Sequence, residues 1–204
     1  MNVCDSMYMG MVYKAAYLLA FFSFLRISNL VPHSVNAFSV FKHLTKADVI
    51  FAPPGAHIIV KWTKTMQFQN KCKVIKIPFL LGSSLCPVTA LGVLLRIVPG
   101  SKNDPLFQVR VQGSWSVLTD SRLRKHFKSV LRRLSLHNTS LTFHSFKRSG
   151  ATLAFNSNVS LQHIKSHGTW TSDTVWRYIN DNESAADQVA LSFKKLLITS
   201  NLQH

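Results

Sequence analysis

Acidic residues are what this 204-residue sequence has least of. Eight Asp and Glu stand against 24 Lys and Arg, a formal net charge of +16, and no acidic side chain occurs between Asp48 and Asp104. Carboxylates so few and so scattered leave no set that could hold two metal ions for phosphodiester chemistry. Cysteine is scarcer still. Cys4, Cys72 and Cys86 are odd in number and lack CxxC spacing, which argues against a disulfide framework or a zinc site and fits a reduced intracellular compartment. Glycine-rich phosphate loops, HExxH and GxSxG are all missing. No apolar run is long enough to span a bilayer. The run Ala15–Leu25 after Lys14 resembles a signal-peptide core, but Arg26 ends it and a buried helix of an unsecreted chain is the better reading. Sequons at Asn138, Asn158 and Asn182 would matter only in a secreted chain.

What is present is a core and a strong positive charge. Hydrophobic residues make up 47% of the chain, enough to fill one domain at this length, and no repeat, low-complexity tract or linker divides residues 1–204. An excess of cations destabilises a compact chain by self-repulsion unless a polyanion compensates it. Nucleic acid is the usual partner, and an anionic membrane surface is the competitor.

Taken in order, Ser6–Leu25 is apolar on nearly every face and predicts a helix buried on several sides. Arg26 follows directly, either capping that helix or reaching a specific partner, because an unpaired buried guanidinium is very costly. Three strand-like runs come next, at Asp48–Ala52, His57–Trp62 and Cys72–Phe79, the last two joined by a polar hairpin loop carrying Lys64. Alternation puts Lys73 and Lys76 on opposite faces of the third strand. Pro87–Val98 reads as a helix with proline in its first turn, followed by a loop through Asn103-Asp104-Pro105. Asp120–Leu134 has the clearest periodicity, an apolar stripe of Leu123, Phe127, Val130, Leu131 and Leu134 with Thr119 or Asp120 as N-cap. Arg122, Arg124, Lys125, Lys128, Arg132 and Arg133 cover the rest of that helix. Without interspersed Glu, this face favours phosphate contact over a merely solvated surface. Thr142–Asn156, Ser160–His167 and Ser184–Leu197 are the remaining helical segments, with Leu153 and Phe155 expected to pack, and Thr174–Ile179 carries Tyr178.

The segment from His144 to Tyr178 carries unusual chemistry for packed helices. His144, Lys147 and Arg148 are three and four residues apart and project from one helical face near its start, where backbone N–H groups also attract anions. Trp170 and Tyr178 follow. A histidine, cations and a phenol behind a basic surface suggest chemistry on a phosphodiester.

Arg26 in FLRISNL, Lys64 in WTKT, His144 in HSFKRSGA, Trp170 in GTW and Tyr178 in RYI occur in the order found in tyrosine recombinases, the phage-integrase-like enzymes. The chain resembles this family over about Tyr13 to Ile179, and its wording is most similar to the recombinases of Crypton-type transposons. The resemblance implies an α+β, mostly helical DNA breaking–rejoining catalytic fold with a small antiparallel three-stranded sheet. It implies that Tyr178 attacks the scissile phosphate to give a 3′-phosphotyrosyl link, that Arg26 holds the non-bridging oxygens, and that Lys64 protonates the leaving 5′-oxygen. His144 would assist proton transfer, and Trp170 would pack and hydrogen-bond at the phosphate. Arg122, Lys125, Lys128, Arg132 and Arg133 would bind double-stranded DNA. Neither metal nor ATP is implied, since the phosphotyrosine keeps the bond energy. A nuclear location, no membrane association and assembly of four subunits on DNA are further expectations.

The chain departs from the family at two positions. The second arginine is replaced by Lys147, a point charge without the bidentate fork, with Arg148 as its possible substitute. The acidic residue usual three positions after the first arginine is Asn29. The chain also begins inside the catalytic-domain helices, so the family's N-terminal core-binding domain is expected to be absent. A catalytically inactive DNA-binding module is the alternative reading.

Overall fold

The computed structural model describes residues 3–62, 72–170 and 175–176. The first element, α1 (Val3–Ser23), is the axle of the core. Val12, Ala15, Ala16, Leu19 and Ala20 are all buried, as a helix apolar on most of its circumference requires. It ends abruptly. Ser23 donates its hydroxyl back to Leu19 O, and Phe24 takes a left-handed backbone conformation at φ 51°. Such a residue stops a helix and redirects the chain. Arg26 is therefore extended and caps a four-residue helix, α2 (Ile27–Leu30).

The three expected strands form one antiparallel sheet, β1 (Val49–Ala52), β2 (Gly55–Val60) and β3 (Lys73–Pro78), in that order. Val49, Ile58 and Ile75 stand in register on the inner face and are buried, as are Ala56 and Ile77 beside them. One of the few carboxylates anchors the sheet: Asp48 accepts from the Thr45 backbone and hydroxyl at 2.7 and 2.8 Å and pairs with Lys61 at 2.6 Å. On β3 it is Lys73 that turns toward the interior side with Ile75 and Ile77, while Lys76 is exposed.

α3 (Pro87–Ile97) begins with its proline at the first position and with Cys86 Sγ accepting from Thr89 N. A hairpin that no sequence pattern marks then follows, β4 (Gln108–Val111) and β5 (Ser114–Val117). Its two turn residues, Gln112 and Gly113, have φ of 50° and 84°, the conformation that suits a two-residue hairpin. α4 (Asp120–Arg133) buries Leu123 and Leu131, but Leu134 is 61% exposed and falls outside the apolar stripe. Thr119 caps it without a side-chain bond to a helix N–H, its hydroxyl instead meeting the Ser121 hydroxyl at 3.1 Å, and Asp120 pairs with Arg124 one turn on. α5 (His144–Asn156) packs through Gly150 and Ala151, whereas Leu153 is 55% exposed. α6 (Leu161–His167) closes a second small core of Phe24, Ala151, Ile164, Trp170 and Val175.

The expected α+β, mostly helical fold with its antiparallel three-stranded sheet is borne out, with the β4–β5 hairpin in addition. No helix among the described residues is long and apolar enough to cross a membrane. Lys64, Tyr178 and the segment 184–197 lie outside the described residues.

Gly150 is where α5 meets the end of α1. A Cβ there would fall 2.3 Å from Phe21 O and 2.7 Å from the Phe24 ring, whereas one at Gly10 would meet nothing within 4 Å. Gly150→Ala is expected to destabilise the fold by about 1–3 kcal/mol in urea titration. Gly10→Ala should be neutral or stabilise by up to about 1 kcal/mol through helix propensity.

Candidate active site

Four elements converge at the end of α1. Arg26 leaves the Phe24 turn half-buried. His144 and Lys147 come from the first turns of α5, Trp170 follows α6, and Lys73 reaches in from the start of β3. Lys147 is the most enclosed charge of the group, 1% exposed. Its Nζ donates to Gly168 O at 2.7 Å and lies 3.9 Å from the centre of the Trp170 ring. A carbonyl oxygen and an indole face are the two neutral groups best able to hold a buried ammonium. Gly168 permits this arrangement because a Cβ on it would sit 1.8 Å from the Trp170 ring.

The electrostatics record the crowding. Burial first, and then the positive charges of Arg26 and Lys73, lower the Lys147 pKa from 10.5 to about 7. Burial also lowers the His144 pKa, helped by Lys147, Arg26, Arg148 and Arg124 in turn. The shift favours the neutral imidazole, the form that accepts a proton, as a general base must. His167 Nε2 donates to Phe22 O, 2.9 Å away, and the His167 pKa is lowered chiefly by burial, with Lys73 and Lys147 adding to the effect. The site is thus a cluster of like charges packed close together.

The sequence-derived residues divide cleanly. Arg26, His144, Lys147 and Trp170 are brought together. Arg148 points outward and is exposed, one position beyond the buried Lys147. The two other chemical positions, Lys64 and Tyr178, are outside the described residues. Two members of the cluster were missed. Lys73 was recognised only as one of two alternatives on β3, and its burial beside Ile75 selects it. His167 carried a readable signal, a histidine in a short helix three residues before Trp170, but its partner is a backbone carbonyl 145 positions away.

Arg122, Lys125, Lys128, Arg132 and Arg133 are all exposed along α4. The helix is pinned to α1 by His126, whose ring stacks on Tyr13 at 3.6 Å and whose Nδ1 is hydrogen-bonded to the Tyr17 hydroxyl at 2.6 Å. Arg122, Lys125 and Arg133 border a groove of about 1150 Å³ beside that junction. The basic helix is therefore held at a fixed angle to the site and does not float as a solvated strip. Among the described residues, no three His, Cys, Asp or Glu side chains gather in a way that could hold a metal ion.

The fold is that of the catalytic part of tyrosine recombinases. XerH site-specific recombinase, in a post-cleavage complex with palindromic difH substrate, matches 95% of this chain and 52% of its own at 17% identity, with a TM-score of 0.62. XerA recombinase matches 95% of this chain and 62% of its own at 15% identity and a TM-score of 0.55. Tn1549 transposon integrase, complexed with circular intermediate DNA, matches 94% and 64% at 14% identity and a TM-score of 0.58. The chain therefore spans between about half and two thirds of these proteins. Identities this low establish the fold. No protein-family model and no curated protein matches the sequence.

Because the Lys147 pKa falls from 10.5 to about 7 on folding, the unfolded chain binds more protons than the folded one between those values. Its contribution to stability is unfavourable below about pH 7 and is relieved as pH rises toward the unfolded lysine value. Lys147→Met should thus be more stable than the unsubstituted chain at pH 7. The gap should shrink steadily as denaturation is repeated at higher pH.

Proposed function

We propose that this chain is the catalytic domain of a tyrosine recombinase of the Crypton transposon kind, which cleaves and rejoins duplex DNA through a 3′-phosphotyrosyl intermediate. The observation that carries this reading is the convergence of Arg26, His144, Lys147 and Trp170 at one point, beside an anchored basic helix. Residues far apart in sequence have no structural reason to concentrate so much positive charge unless an anion is to be bound there.

In the proposed reaction the Tyr178 oxygen bonds to the scissile phosphorus while the bond from phosphorus to the 5′-oxygen breaks. The phenol proton passes to His144, and the departing 5′-oxygen takes a proton from Lys64. Arg26 and Lys147 stabilise the charge that builds on the non-bridging oxygens. Rejoining is the reverse, with a 5′-hydroxyl as nucleophile. Lys147 supplies a point charge where a forked donor would give two bonds, so a slower step than that of an arginine-bearing site is expected. Arg122, Lys125, Lys128, Arg132 and Arg133 hold the flanking phosphates. A nuclear location and a tetrameric assembly on two duplexes belong to the same proposal.

A suicide DNA substrate, nicked so that cleavage cannot reverse, tests it. The unsubstituted chain should form a covalent adduct that is lost with Tyr178→Phe. Arg26→Ala should slow adduct formation by at least about 10²–10³-fold while leaving salt-sensitive DNA affinity largely intact. Salt-sensitive binding without any adduct would identify an inactive DNA-binding module instead. Equal loss of binding and cleavage in Arg26→Ala would contradict the division of labour between the site and α4.

A further inference from the structure

We infer that the groove between α1 and α4 is a docking surface for an acidic amphipathic helix of a partner protein. It shares no side chain with the cluster of Arg26, His144, Lys147 and Trp170 and needs none of the chemistry proposed there.

The groove follows α1 from Ser6 to Phe22, and α4 lines its other side. At the rise of a helix that length is about 24 Å, room for about four turns of a second helix. Met9, Leu18, Phe21 and Phe146 supply an apolar lining and are half-buried. Lys14, Arg122, Lys125 and Arg133 are the charged groups along it, and all four are exposed. No acidic side chain among the described residues borders it. A helix with one apolar stripe and carboxylates on its flanks matches both features, burying the stripe and pairing the rim.

Gly10 points the same way. Glycine is unfavourable inside a helix, yet Gly10 stands within α1 and lines the groove. A Cβ there would meet nothing within 4 Å, so no contact among the described residues requires so small a residue. The space it leaves lets an arriving chain lie close to α1.

Other occupants fit less well. Single-stranded nucleic acid also uses aromatic residues beside cations, but its bases stack on open ring faces. Here the rings cover one another: His126 lies on Tyr13 at 3.6 Å and 6°, and Tyr17 on Phe146 at 5.1 Å and 8°. A second copy of this chain, itself at +16, is opposed by charge. Because Arg122, Lys125 and Arg133 are also the cations proposed to hold DNA, a helix seated here competes with duplex for α4.

The probe is a synthetic peptide of about 18 residues with Leu at helical spacing and Glu on its flanks. In fluorescence anisotropy with the full chain it should bind at least about tenfold more tightly than a scrambled peptide of the same composition, and about fiftyfold more tightly than a Lys-flanked one. Gly10→Phe fills the groove and should weaken the acidic peptide at least about tenfold, while Gly10→Ala, duplex affinity and the urea midpoint change little. Lys14→Glu should weaken the same peptide by about fivefold, and it decides alone should Gly10→Phe not fold. Equal binding of the scrambled or the Lys-flanked peptide overturns the inference, as does undiminished binding in the folded variants. Peptide and duplex bound together without interference would place the peptide elsewhere. Loss of duplex affinity in Gly10→Phe equal to that of the peptide would make DNA the occupant, and self-association in sedimentation that Gly10→Phe abolishes would make it a second copy. Each of these also overturns it.

Discussion

A buried ammonium resting between one carbonyl and one indole face is the constraint on which the site depends. Lys147 cannot be taken out of water without compensation. Gly168 O and the Trp170 ring supply part of it. The remainder appears as a lowered affinity for the proton. A lysine whose midpoint falls from 10.5 to about 7 has lost on the order of 5 kcal/mol of preference for its charged form. That amount is comparable with the whole stability of a small domain, so the site cannot be filled with cations indefinitely. Near neutrality the fold holds this lysine at the edge of ionisation.

The surrounding structure is built to bring the charges near without letting them collapse outward. α1 stops at Ser23, and the left-handed Phe24 turns Arg26 toward α5. Gly150 lets α5 approach the backbone of α1 closely enough to place His144 and Lys147 opposite that turn. Phe24 also packs on His167 and Trp170, at 4.7 and 6.3 Å between ring centres. The small apolar cluster around Ala151 and Ile164 therefore fixes the ring that holds Lys147. Strain at one aromatic residue and absent side chains at two glycines buy the convergence.

Much of this was legible in the sequence. The β-branched runs around Ile58 and Ile75 marked the sheet, and Pro87 marked a helix start. The order Arg26, His144, Trp170 suggested one site before any distance was known. The β4–β5 hairpin was not read, because each strand has four residues and its turn signal, Gln112-Gly113, is weaker than Asn-Gly. Leu134 and Leu153 fit a helical period yet face outward, since periodicity says which residues share a face and not whether anything covers it. Helical spacing likewise grouped Lys147 with Arg148, but packing against Trp170 buries the first and leaves the second in solvent. Asn29 could be noticed only as a departure. Its buried amide donates to Trp62 O at 2.9 Å, 33 residues away, which no local pattern reveals.

The most direct measurement is a crystal structure of the chain with a cleavable DNA duplex. One DNA phosphate is predicted to lie within hydrogen-bond reach, about 3 Å, of both the Arg26 guanidinium and the Tyr178 phenol oxygen, with Lys147 beside it. DNA held only along α4, with no phosphate near Arg26 and Tyr178 turned away from it, would contradict the account.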